Sequence, residues 1–516
     1  MQPEVFNLKE AARFVRVSER TLREKARSRQ VPCQRVGREW RFLRQALEDW
    51  LAGVTPAPDD GTGVVCDPSQ LGLPGLAEAA PQDSFGDTAF TRNREEPLHR
   101  WVPWIAGFSA SFVAEILERE LGRVGKLALL DPFAGVGTTL VEGLKRHCEV
   151  FGFEINPYAA LVCRVKAQAP RLDPRRVRRL AEDLAQGLGR AQESDAPKSA
   201  PPPGFQTRDP FFSPRVESQV LRLKDLVREH EEGPWRDLLE VAFGSILVGV
   251  SNYSYEPSLG RRVAAGKRPV LDADLGAAMR AKLLAIAEDI EWLRVRNGAP
   301  GAPQARIFNE SYLEAAPARL PAGSIDVLIT SPPYLNNYHY VRNTRPQMFW
   351  LDLVTRPSDL RRLETESFGK FWQTVRGDAP VRLAFEDPEL EERLERLRGL
   401  NAERGAYGGP GWANYAATYF NDCARFCEVT AQVMKPGGLV VVVIGNNILQ
   451  GVEFPTDRLL ARIAERAGFE VANLHLVRKK RTGSSIVNSS VRVGAAKVKT
   501  ELYETAVELR LKRPGA

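Results

Sequence analysis

Cysteine is scarce in this chain. Only six occur among 516 residues, and none forms a Cys-x-x-Cys pair. That argues against a disulfide-stapled scaffold and against a zinc ribbon, and it suits a reducing cytosol. Long apolar runs are also missing. The longest, Leu439–Ile444 between glycines, falls far below the roughly 20 residues a membrane-spanning helix needs. Glu4, Lys9 and Glu10 break up the apolar residues at the N-terminus, which is not the pattern of a signal peptide. A cytoplasmic protein with no membrane contact is therefore expected. There is no Gly-x-x-x-x-Gly-Lys-(Ser/Thr) segment, so an ATP-type phosphate loop is not offered.

What is present is ordinary globular material, with 43% hydrophobic and 27% charged residues. At roughly 100–200 residues per domain, the length predicts about three folded units. The charge is uneven. The first 51 residues hold twelve Lys/Arg and seven Asp/Glu, which is +5 of the net +7. A small basic module on a near-neutral remainder is the electrostatic footprint of a nucleic-acid anchor, although a solvated charged face gives the same count.

Within that module, Leu8, Ala11, Ala12, Phe14 and Val15 follow helical spacing. Ser18 is a natural N-cap for a helix over 19–28, with Leu22 and Ala26 on one side and Arg20, Arg23 and Arg27 outside. Two short strands are predicted around Gly37-Arg38, and a last helix over 43–51. Leu8-Lys9-Glu10-Ala11-Ala12, Val17 to Leu22, Arg35-Val36-Gly37 and Trp40-Arg41-Phe42 resemble the excisionase-type, MerR-like winged helix-turn-helix domains. That resemblance implies a recognition helix in a major groove and a basic hairpin on the backbone. Arg20, Thr21, Arg23, Arg27, Arg38 and Arg41 are then the DNA contacts. A protein-docking module of the same fold is the alternative.

The domain division expected is 1–52 for this module, 53–95 for a Pro/Gly-rich flexible linker, and 96–516 for the body. A second Pro-rich stretch, 192–214, reads as another separator. Strands over 127–130, 149–153, 306–308, 327–330 and 439–444 alternate with helices over 108–121, 138–146 and 415–434. Alternation of this kind predicts an α/β domain with a mostly parallel sheet. A large insertion, about 168–305, is helical by period.

Two segments carry chemistry. In the first, Asp131-Pro132-Phe133-Ala134-Gly135-Val136-Gly137-Thr138-Thr139 joins a strand to a helix. Its glycines allow a tight turn and close approach of a ligand. Glu154 follows 23 residues after Asp131, at the end of the next strand, where an acid can accept both ribose hydroxyls of a nucleoside. The turn is too short for a pyrophosphate fingerprint, so a nucleoside without a diphosphate fits. In the second, Ser331-Pro332-Pro333-Tyr334 sits at the carboxyl end of a buried strand. Open α/β sheets bind their ligands there.

Together these segments resemble the amino-group DNA methyltransferases, the N4-cytosine and N6-adenine enzymes that use S-adenosyl-L-methionine. The resemblance covers roughly 99–168, 305–350 and 414–512. It implies a Rossmann-like class I methyltransferase sheet with a helical insertion. Asp131 to Thr139 match the donor-binding motif, Glu154 with Ile155 and Asn156 the ribose-binding acid, and Ser331 to Tyr334 the catalytic motif. Glu310 is expected near the donor's adenine and Ser109 near its methionine end. Serine before Pro-Pro-Tyr favours cytosine N4 over adenine N6. The resemblance also implies a cognate restriction or defence protein as partner, and no metal or covalent cysteine is needed. Two other readings remain open: an RNA base methyltransferase, and a DNA-binding regulator whose methyltransferase fold only senses a ligand.

Overall fold

The computed structural model describes residues 5–15, 17–19, 21, 22, 26, 31, 33–36, 39–44, 47, 93–104, 107–190, 196–255, 259–297, 305–336, 340–480 and 502–513. The chain forms two compact units, residues 1–82 and 83–516.

The N-terminal unit contains β1 (Val5–Asn7), α1 (Leu8–Phe14), β2 (Gln34–Val36) and β3 (Glu39–Leu43). The strands form a sheet in the order β1-β3-β2, with both pairings antiparallel. Asn7 and Glu10 cap α1 reciprocally: the Asn7 side chain accepts from Glu10 N at 3.0 Å, and the Glu10 carboxylate accepts from Asn7 N at 2.8 Å. Ser18 accepts from Thr21 N at 3.0 Å, as its expected capping role requires. Ala11, Ala12, Leu22, Ala26, Val31, Phe42 and Leu47 close a small core. The expected hairpin is present, and β1 is an unforeseen third strand.

The body is built on a seven-stranded sheet. Its strands are β4 (Ala128–Asp131), β5 (Glu149–Phe153), β6 (Ala305–Phe308), β7 (Ile325–Thr330), β8 (Met434–Gly445), β9 (Phe469–Lys480) and β10 (Leu502–Leu511). The order is β9-β10-β8-β7-β4-β5-β6. Pairings from β8 through β6 are parallel, while β10 is antiparallel to both its neighbours. This is the mixed sheet of class I methyltransferases. The strand order reverses at β4 and β7, so a crevice opens past the carboxyl ends of those two strands.

The central strands are apolar on both faces because both faces are covered. Val440, Val442 and Ile444 enter one core, and Leu439, Val441 and Val443 the other. The first core packs α9 (Tyr312–Arg319), α13 (Gly409–Val433) and α14 (Thr456–Arg466) against the sheet. The second packs α2 (Ala110–Val124) and α3 (Thr138–Lys145). A third core joins α4 (Pro157–Gln168) and α10 (Tyr340–Trp350) to the insertion helices α5 (Pro174–Arg190), α6 (Pro214–Arg228), α7 (Pro234–Ile246) and α8 (Leu275–Asn297). Between α10 and α13 lie α11 (Pro357–Glu366) and α12 (Pro388–Arg398), with a short helical turn at Trp372–Val375.

Two expected linkers need correction. Asn93, assigned to the first, is 1% exposed; its side chain donates to Phe108 O and accepts from Ala110 N, fixing the entry to α2. The body therefore includes Asn93. Linker residues 53–92 lie outside the described residues. The second stretch is not a separator: Phe211 and Phe212 are buried in the helical core and stack edge-on at 4.8 Å. Prolines there shape a packed loop. None of the described helices is long and apolar enough to cross a membrane.

Candidate active site

The turn from β4 to α3 is held from several sides. Gly135 and Gly137 take φ of 51° and 84°, in the left-handed region that disfavours side chains. A Cβ on Gly135 would sit 3.3 Å from the Trp104 ring, and one on Gly137 3.2 Å from Cys163 Sγ. Ala134 N donates to Phe153 O at 2.9 Å, tying the turn to β5. From α4, Cys163 Sγ donates to Gly135 O at 3.2 Å and the buried Lys166 ammonium to Val136 O at 2.8 Å.

Asp131 ends β4 and Thr330 ends β7. The Thr330 hydroxyl donates to Asp131 Oδ1 at 2.6 Å, and Phe133 N donates to the same oxygen at 3.1 Å. Burial pushes the Asp131 carboxyl up to about 6, against these hydrogen bonds. The strand ends that carry the glycine turn and the double-proline segment are thereby joined directly.

Glu154 leaves the end of β5. One carboxylate oxygen accepts from Gly135 N and the other from Asn156 N, both at 2.8 Å. Burial pushes this acid up to about 7, while backbone N–H groups of Asn156, Gly135 and Ile155 pull it down. An ionised carboxylate offers about four acceptor positions, so acceptor capacity for a ligand hydroxyl remains.

These residues meet on one cavity of about 300 Å³. Asp131 to Val136, Thr138, Glu154, Ile155 and Asn156 line it on one side, and Ser331, Pro332, Pro333 and Tyr334 on the other. Phe133, Phe153, Tyr312, Leu313 and Phe368 add an apolar and aromatic wall. The Ser331 hydroxyl donates to Tyr334 Oη at 3.4 Å. Burial raises the Tyr334 phenol well above its ordinary value.

Four expected site residues do not reach the cavity wall. Gly137 instead opens α3, and Thr139 donates to Ile329 O at 3.2 Å behind the turn. Ser109 is 1% exposed and caps α2, accepting from Phe112 N at 3.3 Å; Trp104, Gly107 and Phe108 line the cavity in its place. Glu310 turns to the surface, where Arg319 binds it bidentately at 2.6 and 2.8 Å. Its neighbours Ser311, Tyr312 and Leu313 line the wall. Asn309 donates to Glu154 O and Ile155 O at 2.8 and 3.0 Å, bracing the loop after β5.

Sequence reasoning missed the pair Arg478 and Glu504 as cavity residues. They come from β9 and β10, join at 2.7 Å, and line the cavity near Tyr334. No local motif marks them, since sheet pairing alone brings them to the site. Of the expected DNA contacts, Thr21 is exposed. Arg20, Arg23, Arg27 and Arg38 lie outside the described residues. Arg41 belongs to β3.

Sheet topology and this shared cavity define a class I methyltransferase-like body. Residues 5–54 match the family described as "Helix-turn-helix domain". The chain is 22% identical to the type II methyltransferase M.BsoBI of Geobacillus stearothermophilus, over 77% of its own length and 83% of that protein's. It is 24% identical to the type II methyltransferase M.AvaI of a Nostoc strain, covering 80% of this chain and 86% of that one. Among solved structures, the rRNA methyltransferase aviRa from Streptomyces viridochromogenes overlaps 79% of this chain and 87% of its own at 10% identity, with a TM-score of 0.27. The chain is thus distantly homologous to type II methyltransferases and carries an N-terminal helix-turn-helix domain.

Proposed function

We propose that the chain transfers a methyl group from S-adenosyl-L-methionine to an exocyclic amine of a DNA base, cytosine N4 in the first instance. One observation carries the reading: the glycine turn, Glu154 and Ser331–Tyr334 all line one cavity. The residues present suit the donor. Glu154 keeps acceptor positions for a ribose diol, and Phe133, Tyr312, Leu313 and Phe368 offer a slot for a purine. Bound there, S-adenosyl-L-methionine supplies an electrophilic methyl on its sulfonium.

The chain's own part is to make a poor nucleophile adequate. A base amine shares its lone pair with the ring. The Ser331 hydroxyl and the Pro332 carbonyl accept hydrogen bonds from its N–H groups, draw the nitrogen toward tetrahedral geometry and localise that lone pair; as the C–N bond forms the methyl's C–S bond breaks, and the nitrogen then releases one proton to water. The two prolines fix these acceptors. Alignment of reactants lowers the barrier by roughly 7–11 kcal/mol at best. The base must leave the duplex stack to enter, and Tyr334 borders the space it would take. The helix-turn-helix unit then supplies duplex affinity. A cognate restriction or defence partner and a cytoplasmic location belong to the same proposal.

Radiolabelled donor, duplex DNA and nucleoside analysis test this. N4-methylcytosine is expected, and N6-methyladenine would move the assignment to the other amine. Product on matched RNA alone would favour the RNA reading, and no donor turnover the regulator reading. Ser331→Ala should lower kcat at least about a hundredfold, the usual weight of a positioned acceptor, with donor affinity retained. Full activity in a folded Ser331→Ala variant refutes the mechanism.

A further inference from the structure

A second cleft, of about 540 Å³, adjoins the reaction cavity. Val341 lines both. The cleft lies between α10 and α11, and three arginines converge on it: Arg342 and Arg345 from α10 and Arg361 from α11. Glu364 is the one acid in its wall, which leaves a net +2. Positions three apart share a helix face, so Arg342 and Arg345 on one helix, and Arg361 and Glu364 on the other, border the cleft together.

Arg345 is the most constrained of the three. Its guanidinium lies 5.5 Å from the Phe205 ring centroid and 5.7 Å from that of Phe349. Its Nε is buried without a hydrogen-bond partner. Burial and then the nearby Arg342 charge lower its pKa, and the Glu364 charge raises it. The fold thus keeps like charges together, backs one with aromatic rings and leaves a donor unsatisfied. Glu364 offsets part of that charge, and a bound anion would offset the rest and satisfy the donor. Guanidinium forks match phosphate oxygens, and an aromatic backing holds the fork in place.

We propose that this cleft seats a backbone phosphodiester of the DNA strand whose base enters the adjoining cavity. The inference rests on the DNA-methyltransferase reading above and adds the place where the strand is gripped. It assigns Arg345 and Arg361 to positioning the strand.

The test uses the full chain and a duplex oligonucleotide, with affinity measured across salt concentrations. Variants are Arg345→Gln, Arg361→Gln and, as a control, Arg362→Gln. Arg362 is exposed beside the cleft and pairs with Glu366 instead. Loss of the one phosphate contact should flatten the slope of log affinity against log salt by up to about 0.9, or about eightfold in affinity per decade of salt, and removing either arginine should take a part of that. That flattening is expected for Arg345→Gln and Arg361→Gln, with donor affinity unchanged, and not for Arg362→Gln. Because Arg361 is exposed, its variant decides the matter even if Arg345→Gln fails to fold. Slopes equal to wild type, or the same flattening in Arg362→Gln, overturn the cleft assignment while leaving the methyltransferase reading intact. Loss of binding to matched RNA but not to DNA also overturns it. If the wild-type chain binds no DNA, both readings fall.

Discussion

A carboxylic acid accepts hydroxyl donors well only when ionised. Glu154 is therefore the residue whose titration should be visible in donor binding. Burial pushes it up to about 7, and the Asp131 charge adds to that push against the Gly135 and Asn156 N–H groups. The sign follows directly. The native acid holds its proton up to about pH 7, whereas the unfolded one loses it near 4.5. Its contribution to stability is thus largest below pH 4.5 and declines as pH rises toward 7. Its capacity to accept a diol moves the opposite way. S-adenosyl-L-methionine affinity should rise about tenfold from pH 6 to pH 8, as the ionised fraction does around a pKa near 7. Asp131, pushed up to about 6, titrates earlier and is kept in a Glu154→Gln variant. Calorimetric titration of both proteins isolates the glutamate. Glu154→Gln should bind weakly with a shallower pH profile, and identical profiles would remove Glu154 from the diol site.

At the scale of elements, the site depends on how β4 and β7 end. Their parallel register sets Leu129 against Val327 and Leu130 against Leu328, so Asp131 and Thr330 emerge side by side. Thr330→Val keeps the shape and removes the hydroxyl, leaving buried Asp131 with one partner fewer. The expected cost is about 1–3 kcal/mol, read as a lower urea midpoint at unchanged slope. Turnover should fall as well, because the two segments keep only the Thr139–Ile329 bond of the two that join them. An unmoved midpoint would show that the bond carries no weight. Much of this element level was legible in the sequence. Val440–Ile444 is apolar throughout because both faces of its strand are buried, and the Asp131 and Ser331 segments sit on strand ends where side-chain types betray their use. What escaped notice came from competition between partners. Glu310 has the right type and place for a ligand, yet Arg319, one helix later, takes its carboxylate. Ser109 is spent on capping α2. Arg478 and Glu504 reach the cavity only through a strand pairing with no sequence signature. β1 has three residues, too few for any period to register.

For the whole molecule, the arrangement of charge bears on how duplex affinity is shared. The first 51 residues contribute +5, and residues 52–82 contribute four acids with no lysine or arginine. The acidic stretch offsets most of the basic module, so residues 83–516 carry +6 of their own. Both units should therefore attract a polyanion, the small one through local density and the body through sites such as the arginine cleft. A chain truncated to residues 83–516 retains all three sheet and helix cores of the body. It should bind S-adenosyl-L-methionine as the full chain does. Its duplex affinity near 0.1 M salt should drop by about tenfold or more, the equivalent of one or more lost phosphate contacts, and its salt slope should flatten without vanishing. Anisotropy titrations of the two proteins on one labelled duplex make the comparison. Equal affinities and slopes would mean that the helix-turn-helix unit docks a protein instead of DNA, and that the body alone finds its substrate.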